Sequence, residues 1–330
     1  MSGTVSSRAC VIIFAPLGDL HTRAVSSALR RRQVRVETVD LQSLDCGTGL
    51  TLAAGQTCGA YLQQSHRPRS CLSEAATIWW RRPQLPELVE SKDPDRGRFV
   101  AGEWQQLVES LEYCTSARWI NSPSATQRAA HKLAQLTAAR AVGLRIPHTC
   151  ITNDPASVLQ LVEEVGRVVY KKLGTACRPK TITRVLQSED LERLNTLGEC
   201  PAIFQEFIEA CLDIRVTAIG SELLAAEIES QFGTAPVDWR LDYTVPMRAH
   251  KLDNEVSSRL RVLMRQLGLC YGAIDLRLTP AGEYVFLEVN PSGQFLFLEL
   301  LAGLPLSERM ADFLAENVEV ERSVSEPLTV

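Results

Sequence analysis

The first third of the chain alternates between uniformly apolar and amphipathic stretches. ACVIIFAP at 9–16 is typical of a buried strand, and DLHTRAVSSALRRRQ at 19–33 has the spacing of a helix. A second strand pattern follows in VRVETVDL at 34–41, and a third, TIWWRRP at 77–83, ends at proline. Because parallel strands need a crossover such as this helix, we predict an α/β first unit built on a parallel sheet.

Beyond residue 118, strand and helix patterns follow one another in mixed order. Ser124 is predicted to cap one helix that ends at Gly143 and carries an apolar stripe of Ala129, Leu133, Leu136 and Ala139. Further patterned segments are PASVLQLVEEVG at 155–166, RVVYKKL at 167–173, AIFQEFI at 202–208, DIRVTAIGSELLAAEIES at 213–230 and NEVSSRLRVLMRQLG at 254–268. This order predicts an α+β unit.

The region around residues 77–114 combines aromatic residues, arginines and turn formers. Trp79, Trp80, Arg81 and Arg82 are candidates for a peptide-contact surface, and the alternative is buried rings with a solvated arginine pair. KDPDRG at 92–97 indicates a turn, and VAGEWQQLVESLEYC at 100–114 indicates a helix that follows it.

The strand pair in YGAIDLRLTPAGEYVFLEVN at 271–290 contains polar residues that its apolar character does not explain. Folded around the TPAG turn, a regular hairpin places Asp275 opposite Phe286 and diagonal to Glu288, while Glu288 and Asn290 share one face. Two carboxylates and a carboxamide oxygen on one face are ligands that suit Mg²⁺. The alternative is that these strand-end side chains only bind backbone groups and water.

Other polar residues lie beside apolar strand segments. Lys171 and Lys172 close one strand and Lys132 lies on the preceding helix, so each ammonium is a candidate phosphate ligand. QEFIEACLDIR at 205–215 leaves one strand and enters another, which exposes backbone groups able to pair with an adenine edge. Asp213 and Arg215 alternate on one face, so one could bind ribose and the other phosphate; an ordinary ion pair is the alternative.

Composition narrows the class of protein. The 330 residues indicate two or three packed units, and a net charge of -4 with a pI near 5.9 argues against nucleic-acid binding. The 10 cysteines form no C-x-x-C pair, and no stretch resembles a signal peptide or a membrane span. We therefore expect reduced cysteines, a cytoplasmic location and no membrane partner.

Taken in order, the motifs of residues 119–310 resemble those of the ATP-grasp carboxylate–amine ligase superfamily. The resemblance implies ATP and two Mg²⁺ ions as cofactors, and it assigns a role to each matching residue. By this resemblance, Lys132 and Lys171 are the phosphate-binding lysines, and Glu206, Phe207 and Ile208 are the hinge that binds adenine. Asp213 is the ribose-binding acid, and the magnesium ligands are Asp275, Glu288 and Asn290. Where some relatives carry an arginine two residues before the metal-binding acid, this chain has Ala273. The implied catalytic arginines are therefore Arg215, Arg277 and Arg240, in that order.

A narrower resemblance covers nearly the whole chain. IWWRRP, VDWR at 237–240 and FLEVNPSGQFLFLE are similar to the peptide-crosslinking ATP-grasp enzymes of the microviridin (graspetide) type. It implies an α/β pre-ATP-grasp domain, an α+β ATP-grasp fold in two parts and a flexible tail. The pre-ATP-grasp domain corresponds to residues 1–118. The two parts of the ATP-grasp fold correspond to 119–200, which includes a lid, and to 201–318, and the tail corresponds to 319–330.

The resemblance also implies a reaction. A side-chain carboxylate of a ribosomal precursor peptide with a leader segment becomes an acyl phosphate, which a Ser or Thr hydroxyl or a Lys amine captures. The lid is expected around GTACRPK at 174–180, and Asp238 with Arg240 is expected to handle the substrate carboxylate. A homodimer is compatible with this resemblance.

Two other functions stay open on the sequence alone. The motif EVNPSG is shared with RimK-like ligases, which add amino acids to a protein or peptide tail. A non-catalytic ATP-binding partner protein is the other alternative, although such a protein has no need of the whole set of lysines and metal ligands.

Overall fold

The computed structural model describes residues 10–42, 49–54, 59–63, 70–85, 93–174 and 183–318. The chain divides into two compact units, one formed by Met1–Gln127 with Pro305–Val330 and the other by Arg128–Leu304. Of the predicted lid segment, only Gly174 lies within the described residues.

The first unit contains the predicted parallel sheet. Its strand order is β2-β1-β6-β7, and every neighbouring pair is parallel, which confirms the prediction. A second, antiparallel sheet has the order β3-β4-β5. The strands are β1 (Cys10–Phe14), β2 (Arg35–Val39), β3 (Gly49–Ala53), β4 (Gly59–Gln63), β5 (Ser70–Cys71), β6 (Ala75–Trp80) and β7 (Arg118–Ile120).

Helices α1 (Leu20–Arg31), α2 (Pro94–Glu109) and α9 (Leu306–Ala315) belong to the same unit. Asp19 caps α1 by accepting a hydrogen bond from the Thr22 N–H at 2.7 Å. At the other end of α1, Arg32 Nε donates to Asp312 of α9 at 2.7 Å. The C-terminal helix therefore packs on the N-terminal one, and α1 and α9 lie side by side.

The structure of the first unit differs from two of the expectations. Trp79, Trp80 and Arg81 are all buried, so the interpretation of TIWWRRP as an exposed peptide-contact surface is wrong for these three residues. Helix α2 begins at Pro94, inside the segment predicted as a turn, because Asp93 accepts from the N–H groups of Asp95 and Arg96 and proline fits the first helical position.

The second unit contains two sheets. A four-stranded antiparallel sheet has the order β10-β9-β11-β8, and a five-stranded antiparallel sheet has the order β14-β13-β12-β15-β16. The strands are β8 (Thr149–Thr152), β9 (Val168–Lys171), β10 (Arg184–Val185), β11 (Ala202–Glu206), β12 (Leu212–Ile219), β13 (Glu222–Ile228), β14 (Met247–His250), β15 (Tyr271–Leu278) and β16 (Tyr284–Asn290).

Helices of the second unit cover these sheets. Helix α5 packs Val158 and Leu161 onto the four-stranded sheet, as the apolar pattern of 155–166 predicts. The helices are α4 (Lys132–Ala141), α5 (Pro155–Val165), α6 (Ser188–Leu191), α7 (Asn254–Gln266) and α8 (Leu296–Ala302); α3 (Pro123–Ala130) runs across the division between the units. No helix among the described residues combines the length and apolarity that crossing a membrane requires.

The single helix predicted from Ser124 to Gly143 is two helices. His131 has extended backbone angles and serves as the N-cap of α4, so the chain bends between α3 and α4. The cap of α3 is Ser122, whose hydroxyl accepts from the Ala125 N–H at 3.2 Å, rather than Ser124. Because of the bend, Leu133 leaves the predicted apolar stripe and is exposed.

The predicted hairpin forms, but its register differs from the prediction. Leu276 pairs with Phe286, and Asp275 pairs with Glu288, so Leu287 is an extra residue on β16. This is a β-bulge, which shifts the pairing by one position. Asp275 therefore faces Glu288 directly. Without the bulge it would lie opposite Leu287, and the predicted register, which placed it opposite Phe286, is wrong.

We predict that Phe286→Ala lowers the free energy of unfolding by about 3–5 kcal/mol. Phe286, on strand β16 of this hairpin, is fully buried, and the smaller side chain leaves a cavity. Chemical denaturation followed by circular dichroism measures the loss. Phe232→Ala is the control, since Phe232 is 84% exposed and its removal should change stability by less than about 0.5 kcal/mol. Equal effects of the two changes would contradict the packing described here.

Candidate functional site

One cleft in the second unit gathers almost all residues that the sequence singled out. Eleven of the twelve predicted site residues line it, namely Lys132, Lys171, Glu206, Phe207, Ile208, Asp213, Arg240, Asp275, Arg277, Glu288 and Asn290. The twelfth, Arg215, lies behind the cleft wall and binds Asp275. Strands of both sheets and the start of α4 supply these side chains, so residues 158 positions apart meet in one place.

Two carboxylates face each other at the edge of the cleft. Asp275 on β15 and Glu288 on β16 are direct cross-strand partners, and Asn290 lies two residues beyond Glu288. Side chains of such a pair lie within about 4.5–5.5 Å at Cβ, so the bulge at Leu287 brings the two acids closer than a regular hairpin would. The carboxamide oxygen of Asn290 accepts from the Ser292 N–H at 3.0 Å, which fixes its orientation.

Glu288 is a partly buried anion among cations. Lys132 Nζ lies 2.5 Å from one of its oxygens, and Arg240 Nη1 lies 3.6 Å from the other. Burial by itself raises the pKa of Glu288, but the charges of Lys132, Lys171 and Arg240 outweigh that effect and hold the pKa well below the usual range. Glu288 therefore stays ionised at every physiological pH.

For Lys171, in contrast, the surroundings disfavour the charged form of the side chain. Loss of hydration lowers its pKa, with Lys132 and Arg240 acting in the same direction and Glu288 opposing them. A lysine held in this way gains from an added negative charge nearby. The pair Lys132 and Lys171 thus gives the cleft an affinity for anions such as phosphate.

Asp275 is held from behind by an arginine. Arg215 Nη1 donates to both oxygens of Asp275, at 2.7 and 2.8 Å, and its Nη2 donates to the Gln294 carbonyl at 3.3 Å. Gly293 makes room for this arrangement, because a Cβ there would overlap Ala273 and crowd Arg215. Arg215 on β12 therefore supplies a guanidinium where position 273 has only a methyl group.

The predicted hinge forms one wall of the cleft. The N–H groups of Glu206 and Phe207 donate to the carbonyls of His148 and Arg167, each at 2.8 Å, so they hold the hinge in place. The N–H of Ile208 has no backbone acceptor among the described residues. It is the hinge N–H that is left for a ligand.

Arg277 organises the floor next to the hinge. It donates to Asp213 at 3.1 Å, to the Ile208 carbonyl at 2.8 Å and to the Pro236 carbonyl at 2.6 Å. Asp213 also accepts from the Ser230 hydroxyl at 2.5 Å. Burial raises the pKa of Asp213, and Arg277 opposes this only in part. Arg277 is thus engaged in holding backbone and Asp213, in contrast to its second rank among the predicted phosphate ligands.

The residues 238–240 form a short turn at the rim of the cleft. Asp238 is buried and pairs with Arg240, whose side chain is 48% exposed. Trp239 is buried behind them and packs its ring against Phe297 and Tyr243 at centroid distances of 5.3 and 5.9 Å. Of the three candidate arginines, Arg240 is the most accessible.

Apolar residues of the cleft were not identified from the sequence. Val169 and Leu287 line it from the two sheets, and Gln205, which precedes the hinge in the chain, lines it as well. The spacing of Val169, two residues before Lys171 on the same strand face, is a signal for one of them. Leu287 had no such signal, since only the bulge allows both Leu287 and Glu288 to line the cleft.

The donors of the acidic pair fit a divalent cation of the magnesium type. In the part of the chain that the structure describes, no group of three or more His, Cys, Asp or Glu side chains is arranged as a metal site. Asp275, Glu288 and Asn290 nevertheless combine two carboxylates with a carboxamide. Mg²⁺ is commonly bound through one or two carboxylates together with substrate phosphates, so this sparse set suits it.

We predict that Lys132→Met raises the pKa of Glu288, because it removes the nearest cation while burial persists. A carboxyl group whose pKa is depressed in the folded state stabilises the protein at pH values above the ordinary Glu pKa. This stabilisation is lost as the pH falls through the pKa of the folded state. In the variant this loss should therefore begin at higher pH. Titration of the Glu288 carboxyl carbon by NMR measures the shift, with exposed Lys251→Met as the control; identical curves for both variants would contradict the electrostatic account.

Comparison with known proteins points to one group of enzymes. No family model matches the sequence, and no curated protein does. Among solved structures, the macrocyclase MdnC from Microcystis aeruginosa MRC, bound with the precursor peptide MdnA, has 28% identity and a TM-score of 0.84 over 93% of this chain and 99% of that chain. The RiPP-associated ATP-grasp ligase from Chryseobacterium gregarium, in complex with ADP and a leader and core peptide, has 25% identity and a TM-score of 0.82 over 94% and 97%.

A third similar structure is that of the ATP-grasp ligase PsnB, complexed with a phosphomimetic variant of a minimal precursor, Mg and ADP. It has 26% identity and a TM-score of 0.76 over 94% of this chain and 99% of that chain. The similarity therefore extends along both units. Over more than nine-tenths of its length, the chain is similar in structure to macrocyclases and ATP-grasp ligases associated with ribosomally made peptides.

Proposed function

We propose that this enzyme uses ATP to activate Asp or Glu side chains of a ribosomal precursor peptide and joins them to Ser or Thr hydroxyls or to Lys amines of the same peptide. The observation that carries the proposal is the cleft itself. It brings the acidic pair Asp275 and Glu288 together with Lys132, Lys171 and the hinge at Ile208. These groups are the ones that an enzyme needs to bind a nucleoside triphosphate with its cation.

The reaction proceeds in two steps. The peptide carboxylate attacks the γ-phosphorus of ATP, the bond to the β-phosphate oxygen breaks, and ADP leaves. The hydroxyl or amine then attacks the acyl phosphate, loses its proton and displaces inorganic phosphate, which gives an ester or an amide. Charge on the transferred phosphoryl group is stabilised by Lys132 and Lys171, which the cleft holds in place before substrate binds.

Magnesium, when bound, would neutralise phosphate charge beside Asp275, Glu288 and Asn290. We propose these three as its ligands and two ions as the complement. PsnB was crystallised with Mg and ADP, which supports the same cofactors here. Glu206, Phe207 and Ile208 are proposed to bind adenine, with Val169 and Leu287 as apolar neighbours, and Asp213 is proposed to bind ribose.

The three arginines are proposed to act differently. Arg240 is accessible at the rim and suits the peptide carboxylate, while Arg215 keeps Asp275 oriented from behind. Arg277 positions Asp213 and the hinge. We also propose a division into domains 1–118, 119–200 and 201–318 and a cytoplasmic location. The proposed tail, 319–330, lies outside the described residues.

A peptide substrate is supported by the neighbours, since MdnC was crystallised with its precursor peptide and the Chryseobacterium enzyme with a leader and core peptide. We expect the precursor to be a short peptide, encoded next to this gene, with Thr, Ser, Asp and Glu near its end. Incubation with ATP and Mg²⁺ should lower its mass by one water for each bond formed. A gain of amino-acid residues would show RimK-like tail addition instead, and an unchanged mass without ADP release would show a non-catalytic nucleotide binder.

We predict that Glu288→Ala and Asn290→Ala each reduce peptide-dependent ADP formation by about 100-fold or more while the protein stays folded, because each removes a proposed ligand from the acidic face. Coupled ADP assays and circular dichroism measure the two properties. Glu283→Ala is a matched control, since Glu283 precedes the same strand and its side chain is 57% exposed outside the cleft. Turnover retained in both cleft variants would exclude the proposed magnesium ligands.

A further inference from the structure

Gln135 on α4 is a buried polar side chain that the proposed reaction does not use. The residue is 1% exposed and is not among the described residues that line the cleft. Its Oε1 atom accepts from the Val289 N–H at 2.9 Å, and its Nε2 atom donates to the Val289 carbonyl at 2.8 Å. Nε2 also donates to the carbonyl of Ala129 at the end of α3. One carboxamide therefore binds both backbone groups of a single residue on β16.

That residue lies between two of the proposed magnesium ligands, Glu288 and Asn290. Because side chains alternate along a strand, Val289 packs on the opposite face, where its Cγ2 atom would lie 2.8 Å from a Cβ at Gly272. Strand β16 is at the edge of its sheet, so its backbone groups that point away from β15 need partners from outside the sheet. Gln135 supplies these partners at Val289.

Nearer the start of β16, the same strand is paired by backbone instead. Arg145 forms a parallel bridge with Val285, and its carbonyl accepts from the Phe286 N–H at 2.8 Å. Backbone pairing of this kind does not depend on the identity of a side chain. The bonds to Val289 do, because they require a side chain at position 135 that carries both a donor and an acceptor at that reach.

The place of these bonds matters because of the bulge. Leu287 is the extra residue on β16, and a slip of one position after it would turn both proposed ligands away from the cleft. Gln135 ties the backbone to α4 two residues beyond the bulge, at Val289. One turn earlier on the same helix face, Lys132 Nζ lies 2.5 Å from the Glu288 carboxylate. Helix α4 thus holds both the backbone and the carboxylate of this segment.

We propose that Gln135 is a positioning residue for the divalent cation, which keeps Glu288 and Asn290 directed at the ion by holding the backbone of Val289. The inference rests on the proposed function, which makes those two residues cation ligands. It assigns an effect on metal binding to a side chain outside the cleft, and that effect passes through strand β16. Binding of the nucleotide without metal is left unchanged.

The test compares Gln135→Met with the wild-type protein. Methionine is close to glutamine in length but makes none of the three hydrogen bonds. With Mn²⁺ as the probe and ADP present, electron paramagnetic resonance measures the Kd for the metal, and calorimetry measures the Kd for ADP without metal. We expect the Kd for Mn²⁺ to rise about 10-fold, because groups that orient metal ligands have effects of this size, and the Kd for ADP to stay the same.

Leu136→Ala is the matched control for stability. Leu136 is 3% exposed on the same helix, so its truncation should lower the melting temperature while the bonds of Gln135 remain. Hydrogen exchange followed by NMR should show the Val289 amide exchanging faster than the amides of β15 in Gln135→Met, but not in Leu136→Ala. If Gln135→Met does not fold, Gln135→Asn, whose amide is one methylene too short, gives the same measurements.

Two results would overturn the inference. One is an unchanged Kd for Mn²⁺ in Gln135→Met, and the other is an equal rise of this Kd in Leu136→Ala. Because the binding measurements use no peptide, a protein that shows the expected differences but crosslinks no peptide would refute only the peptide-joining function. Mn²⁺ binding that is tight in the wild type and insensitive to Gln135→Met would refute only the role of Gln135.

Discussion

The arrangement of the cleft depends on one partly buried anion, Glu288, surrounded by the charges of Lys132, Lys171 and Arg240. A carboxylate in an apolar interior costs several kcal/mol unless it is paired, and cations gathered there without a counter-charge are unfavourable as well. Each side of the cluster therefore requires the other. A triphosphate that enters the cleft can share the cations, and a divalent cation can share Glu288. The charges of the cleft are thus arranged for both.

The cluster is assembled by three local features of the backbone. The bulge at Leu287 aligns Glu288 with Asp275, and the bend at His131 makes Lys132 the first residue of α4. The turn that contains Asp238 brings Arg240 to the rim. None of these features is a site by itself. Together they convert two ordinary antiparallel sheets into a cleft in which acids and cations lie side by side.

Much of this was predictable, because regular strands and helices follow from apolar periodicity, and eleven of twelve candidate residues share one cleft. What escaped prediction was local and irregular. A bulge such as that at Leu287 does not disturb the alternation enough to be read from one sequence, and the break at His131 lies within an apolar stripe that continues across it. The difference between Arg277 and Arg240 depends on their partners, which lie 64 residues away for one and 2 for the other.

The central claim, that the cleft activates a peptide carboxylate by phosphorylation, is tested most directly by following oxygen. Peptide whose Asp and Glu carboxylates carry ¹⁸O is incubated with the enzyme, ATP and Mg²⁺, and the released phosphate is analysed by mass spectrometry. The account predicts one ¹⁸O atom in phosphate for each bond formed, because the attacking carboxylate oxygen leaves with the phosphoryl group. Crosslinked peptide accompanied by unlabelled phosphate would contradict it.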